Sequence, residues 1–223
     1  YTEITEAFTA AQEADSAEVK LLQNAEITTT KDSDDKEILK GIELSKGNIT
    51  LDLNGKTLSG KQTSVESTAS DSILFNVYCT FTVKDSAGGG AIVQPNRVAA
   101  IRAAGAGTVI IDSGTIENTS SQDQTENCAV FVMGSGNVTI NGGTIKGTYK
   151  GIYVDSYDSN ATLTVTGSPQ IHGENSNALL IGKAKSVKLS GGTFTTNETD
   201  NHSIWNSSGT AKSLLADGYR FED

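Results

Sequence analysis

The sequence predicts an all-β chain: a right-handed, single-stranded parallel β-helix of about seven coils, with an N-terminal amphipathic capping helix and a short C-terminal cap. Three observations carry that prediction. A unit that runs apolar, polar, apolar and then turns through glycine or asparagine into another apolar position recurs as LDLNGKTLSG (51–60), VIIDSGTIEN (109–118), VTINGGTIKG (138–147) and VKLSGGTFTT (187–196), with looser copies at 19–27, 81–86 and 163–173. A second strand pattern lies between the units, in GIEL (41–44), AVFV (129–132), GIYV (151–154) and ALLI (178–181). The chain also carries 23 glycines against 2 prolines, a balance that suits many short strands joined by tight turns. Units this short cannot bury an apolar face alone, so they must stack. A sandwich would need two-residue hairpins and a leucine-rich repeat its L-x-x-L-x-L pattern, and the sequence offers neither.

Residues 1–16 form the first cap. TEITEAFTAAQEA sets Ile4, Phe8 and Ala11 at helical spacing, with Thr2 as N-cap and Glu3 and Glu6 in the first turn, where acidic groups complement the helix dipole. Residues 17–210 form the coils. Alternation with period two places every second residue on one face, so the first strand of each unit points Val19, Leu51, Phe81, Val109, Val138, Leu163 and Val187 inward. A second file follows in Leu21, Leu53, Val83, Ile111, Ile140, Val165 and Leu189, and a third, past the turn, in Ile27, Leu58, Ile92, Ile116, Ile145, Ile171 and Phe194. The intervening strands add inward pairs such as Ile42 with Leu44 and Val130 with Val132, and less regular copies occur at 72–76, 98–102 and 203–206. Residues 211–223 form the second cap, with Leu214 and Leu215, an Asp217-Gly218 stop, and Tyr219 and Phe221 over the last coil. The whole of 1–223 is one domain, long enough for a core that shields roughly 70% of the unfolded surface.

The net charge of −10, with no local lysine or arginine cluster, disfavours nucleic acid and anionic membrane surfaces as partners. No run approaches the roughly 20 apolar residues of a spanning helix, so no membrane insertion is expected. The chain opens at Tyr1 with neither methionine nor a signal-like segment, as a processed piece of a longer protein would, and a monomeric module of a larger chain is expected. Cys79 and Cys128 sit in differently placed apolar settings and read as two free thiols.

With the opening EAFTAAQEA, the VKLLQNAEI strand, the LDLNGKTLSG and GGT turns and the closing LLADGYRF in place, the chain resembles, over essentially its whole length, the right-handed parallel β-helix (pectate-lyase-like) modules of Gram-positive bacterial cell-surface proteins. The resemblance implies secretion or display at the bacterial surface. It implies little about chemistry, because the scaffold serves lyases, hydrolases, adhesins and stalks alike.

A polysaccharide lyase or glycoside hydrolase of this kind would need a base beside carboxylates, or two carboxyl groups at a set spacing. On the outward side of the first strand ladder only Asp52, Lys84 and Asp112 offer such groups, with Lys84 beside Asp112 and Asp52 two coils from Asp112. The hydrolase patterns of the family, NTD, GHG and RIK, are missing. Asp155, Asp158 and Asn160 share one oxygen-rich loop and form a weak calcium candidate, without the glycine and terminal glutamate of an EF-hand. His172 and His202 have no partner at ligand spacing, and no cofactor is expected.

The second strand ladder is more suggestive. If Val130, Ile152, Leu179 and Ile204 face inward, their neighbours form an outward row of Glu43, Phe75, Ala100, Phe131, Tyr153, Leu180 and Trp205. Rings spaced along such a row can stack on the apolar faces of sugars. The sequence therefore predicts a non-catalytic module binding a glycan or host ligand through Phe75, Phe131, Tyr153 and Trp205. A structural spacer beside another functional domain, and an enzyme using Asp52, Lys84 and Asp112, are the alternatives.

Overall fold

The computed structural model describes the chain except for residues 2, 32, 34, 36, 64–71, 122–125, 156–159, 200–201 and 222–223. Among the described residues the chain is all-β apart from an N-terminal helix and 3-10 turns, and its strands are mostly parallel. They stack in three ladders that the chain visits in turn. The first contains Ser16–Lys20, Asn48–Asp52, Thr80–Lys84, Thr108–Ile111 and Asn137–Ile140, then the opening halves of the long strands Thr162–Gly173 and Ser186–Thr196. The closing halves of those two strands continue a second ladder of Ala25–Ile27, Thr57–Gly60, Ala91–Gln94, Thr115–Asn118 and Thr144–Gly147. The third runs from Ile42–Leu44 through Phe75–Val77, Ile101–Ala103, Cys128–Val132, Lys150–Val154 and Leu179–Ile181 to Ile204–Asn206. Among the described residues the one antiparallel pair is Thr29–Lys31 with Glu37–Leu39. This arrangement is consistent with a β-helix-like fold.

The inward files meet in one continuous core. From Phe81 onward the first ladder keeps the expected register, with Phe81, Val109, Val138, Leu163 and Val187 in one file. Its first two strands keep their expected pairing with each other, Val19 with Leu51, but together sit two residues away from expectation against the third: Ile49 pairs with Phe81 and Leu51 with Val83. A slip of two keeps every side chain on its own face, and Ala17-x-Val19-x-Leu21 and Ile49-x-Leu51-x-Leu53 each offer three alternating apolar residues for two files. The surplus Leu53 is buried at the turn, close against Gly90 and Gly114, where a β-carbon would meet its side chain. The second ladder shows the same displacement at its start, with Ile27 opposite Gly60 and Ala25 opposite Leu58.

The helix spans Ile4–Glu13, and Phe8 and Ala11 are buried, as their spacing predicts. Glu3 occupies the N-cap position without a side-chain capping bond, whereas the expected cap, Thr2, lies outside the described residues. Phe8 meets Phe75 and Phe81 edge-on, with centroids 5.2 and 6.2 Å away, so the helix packs onto the core of the first rungs. At the other end Leu215 bridges to Leu189 and Leu214 is buried. Tyr219 and Phe221, expected to cover the last coil, are both exposed. The backbone bond from Ala216 N–H to the Leu189 carbonyl has already joined the segment to the last rung, leaving the aromatic tail beyond it.

Candidate functional site

Register decides which expected site residues face outward. On the third ladder the outward row is Glu43, Asn76, Arg102, Phe131, Tyr153, Leu180 and Trp205. Phe75 is not in it: it pairs with Ile42 and Ile101 and is fully buried in the main core. Ile73, Leu74 and Phe75 form an unbroken apolar run without alternation, and the partners Phe8 and Phe81 draw the ring inward. Ala100 likewise yields its place to Arg102, whose Nε donates to Asn76 Oδ1 at 2.9 Å.

Phe131 and Tyr153 do point away from the main core, yet they are only 2% and 4% exposed. With Cys128 and Ala99 they form a second small apolar cluster, flanked by Met133 and Leu180. Trp205, 49% exposed, is therefore the one aromatic of the expected row that reaches solvent among the described residues. Its strand is seated by Ile204, which pairs with Leu179 and turns the indole outward. The indole N–H donates to Ser207 Oγ at 3.3 Å, and the His202 ring stacks alongside at 6.1 Å and 11°.

Trp205 lies in an open cavity of about 990 Å³ at the last rung, lined also by Thr193, Phe194, His202, Asn206, Thr210, Arg220 and Phe221. The Asn206 side chain holds the loop beside it, donating to the Thr210 carbonyl and accepting from Ser208 N–H. Phe221 is 46% exposed, so the cavity presents two aromatic faces among amide, hydroxyl and guanidinium groups. The sequence pattern identified Trp205 but not Phe221, Arg220, Asn206 or His202 as its companions. The available signal is the closing YRF, whose Tyr219 and Phe221 the sequence pattern reads as a cover over the last coil. A second cavity of about 540 Å³ lies under the helix, lined by Ile4, Ala7, Glu18, Lys20 and Leu22.

The candidate catalytic residues stand on successive rungs, with Asp112 two rungs from Asp52 as expected. Asp52 pairs directly with Lys84, and Asp112 follows one rung later, its N–H bonded to the Val83 carbonyl. Each is already engaged. Asp52 is buried, accepting from Asn54 N–H at 2.9 Å, Ser86 N–H at 3.0 Å and Ser86 Oγ at 2.8 Å, with Lys20 Nζ 3.3 Å away. Burial opposes its charge, but those bonds outweigh burial and hold the carboxyl down at about 2. Lys84 donates to Glu18 at 2.6 Å, and that bond raises its pKa, keeping the ammonium charged where a base must be neutral. Asp112 accepts from Asn141 Nδ2 at 2.7 Å. The three act as ties between rungs and across turns.

Of the calcium candidates, Asp155 is buried and Asn160 exposed, each with interactions of its own, and Asp158 lies outside the described residues. Among the described residues no three His, Cys, Asp or Glu side chains gather to hold a metal, and no helix is long and apolar enough to cross a membrane. His172 pairs with Lys146 and Thr195 on the second ladder, its Nδ1 2.8 Å from Thr195 Oγ1. Cys79 and Cys128 are free thiols. No protein-family model, curated protein or solved structure matches the chain.

Proposed function

We propose that the chain winds as a right-handed parallel β-helix of about seven coils, capped by the Ile4–Glu13 helix and by 211–223, and serves as a non-catalytic glycan-binding module of a secreted or surface-displayed bacterial protein. The three parallel ladders support the winding, and the strong right-handed preference of parallel crossovers supports its hand. The pectate-lyase-like resemblance supports the extracellular setting.

The single observation that carries the binding reading is the exposed Trp205 in its cavity. A half-exposed indole beside Phe221 gives flat apolar faces suited to sugar C–H groups, while Thr193, Asn206 and Arg220 are partners for hydroxyls. The interaction surface is thus one compact site at the last rung, rather than a strip of rings along the ladder.

Trp205 is the chain's one tryptophan, so its fluorescence reports on this cavity alone. Titration with a broad glycan panel is expected to shift or quench the emission for at least one member, and Trp205→Ala should abolish retention of that glycan. A panel that leaves the emission unchanged would remove the glycan reading in favour of a spacer.

A further inference from the structure

We infer that the two ends of the stacked ladders are complementary docking surfaces for a second copy of this chain, the last rung of one molecule seating on the first rung of the next. This goes beyond the glycan reading, which concerns the cavity of a single molecule. Each ladder ends in a strand that has a ladder neighbour on one side only: Ser16–Lys20, Ala25–Ile27 and Ile42–Leu44 at the start, Ser186–Thr196 and Ile204–Asn206 at the finish. Such edges are templates for further pairing. The core files end in the same way. Ala17 and Val187 open and close one file, Ala25 and Phe194 another, and all four are half-buried, whereas the members between them, from Ile49 to Leu163 and from Leu58 to Ile171, are buried.

Charge decides which end meets which. Residues 1–27 carry six acids against one lysine, while residues 178–196 carry Lys183, Lys185 and Lys188 and no acid, and all of these groups are exposed. Unlike ends attract, so the contact is head to tail. Register sharpens the match: the outward file of the first ladder opens with Glu18, passes through Thr82 and Thr139, and closes with Lys188. A copy that continues this ladder brings Lys188 opposite Glu18 as an oppositely charged cross-strand pair. Lys188 makes no ion pair among the described residues, and Lys84 takes only Oε2 of Glu18, leaving Oε1 for the second lysine. Of the six large apolar side chains exposed among the described residues, Tyr1 and Leu22 lie at the first rung and Trp205, Tyr219 and Phe221 at the last, where a second copy covers them. A head-to-tail contact does not close on itself, so stacks grow beyond two.

The test is sedimentation equilibrium of the intact chain over a concentration series at low salt. The weight-average mass is expected to climb past that of a dimer without levelling, and the association to weaken as added salt screens the two ends. Lys188→Glu and Glu18→Lys each set like charges across the contact, and each variant alone is expected to associate about tenfold more weakly than the parent. An equimolar mixture of the two is expected to recover the association, because each variant then finds its opposite charge on the other, a recovery that a folding defect cannot produce. A monomer mass at every concentration would overturn the inference, and a mass that levels at the dimer would overturn the head-to-tail arrangement. Equal association by the parent, the single variants and the mixture would overturn the placing of Lys188 against Glu18. The glycan titration is read on dilute monomer, so each of these results leaves that reading standing.

Discussion

The rings of Phe131 and Tyr153 lie face to face on adjacent strands of the third ladder, 5.1 Å between centroids and 2° from parallel. They point away from the main core and are nevertheless buried, so each acts as a packing residue on the outer side of the sheet. Truncating either leaves a void that the cluster cannot fill. Phe131→Ala is expected to cost about 3 kcal/mol or more in urea unfolding, and to leave any glycan affinity of the folded protein intact. Trp205→Ala should do the reverse, with little change in stability. A stability loss for Trp205→Ala as large as that for Phe131→Ala would place the indole in the fold rather than in a site.

Asp52 makes stability depend on acid. Its folded pKa, about 2, lies below its ordinary 3.8, so the ionised carboxylate stabilises the fold above the unfolded value. That contribution, about 2 kcal/mol, is lost as pH falls from about 4 toward 2. In Asp52→Asn the acid slope over this window should be shallower by that amount, measured by urea titrations at stepped pH. Parallel pH profiles for the two proteins would show that Asp52 does not carry the effect.

The Lys84 and Glu18 side chains are 37% and 45% exposed, so their ion pair is screened by water. A double-mutant cycle of Lys84→Ala with Glu18→Ala is expected to give a coupling of about 0.2–1 kcal/mol, falling as salt is added. A coupling of several kcal/mol, or one indifferent to salt, would contradict this account of Lys84 as a surface tie.

Burial pushes the Cys128 thiol up to about 12, whereas Cys79 is only half-buried and is raised for the same reason. Thiolate is the reactive form. Native protein at pH 8 should therefore leave Cys128 unmodified by a disulfide reagent, with any slow reaction confined to Cys79, and both should react at once in urea. Rapid native labelling of Cys128, located by peptide mapping, would refute its burial.

Two glycines separate close approach from turn conformation. A methyl group at Gly147 would land on the carbonyl of Lys150, whereas Gly88, at φ +80°, has nothing within 4 Å of its would-be β-carbon. Gly88→Ala should cost about 1 kcal/mol, the penalty of a left-handed backbone. Gly147→Ala requires the backbone to move and is expected to lower the melting temperature far more. Similar losses for the two would deny the close packing of the second ladder against the start of the third.

The sequence by itself determined which residues alternate between core and surface wherever apolar and polar positions strictly interchange. From Phe81 to Leu189 on the first ladder, and from Leu58 to Phe194 on the second, a period of two leaves only one face to bury, and the glycine turns mark where each strand ends. Tertiary structure decided what that period cannot express. The two-residue register of the opening strands preserves the inside and outside faces, so no local pattern distinguishes Leu51 opposite Phe81 from Leu51 opposite Val83. Phe75 sits in an apolar run without parity, and its direction comes from Phe8 of the helix and Phe81 of the next strand. Burial of an outward ring, as at Phe131 and Tyr153, and the meeting of Trp205 with Arg220 and Phe221 depend on which separate segments come to lie side by side, a relation that exists only once the chain has folded.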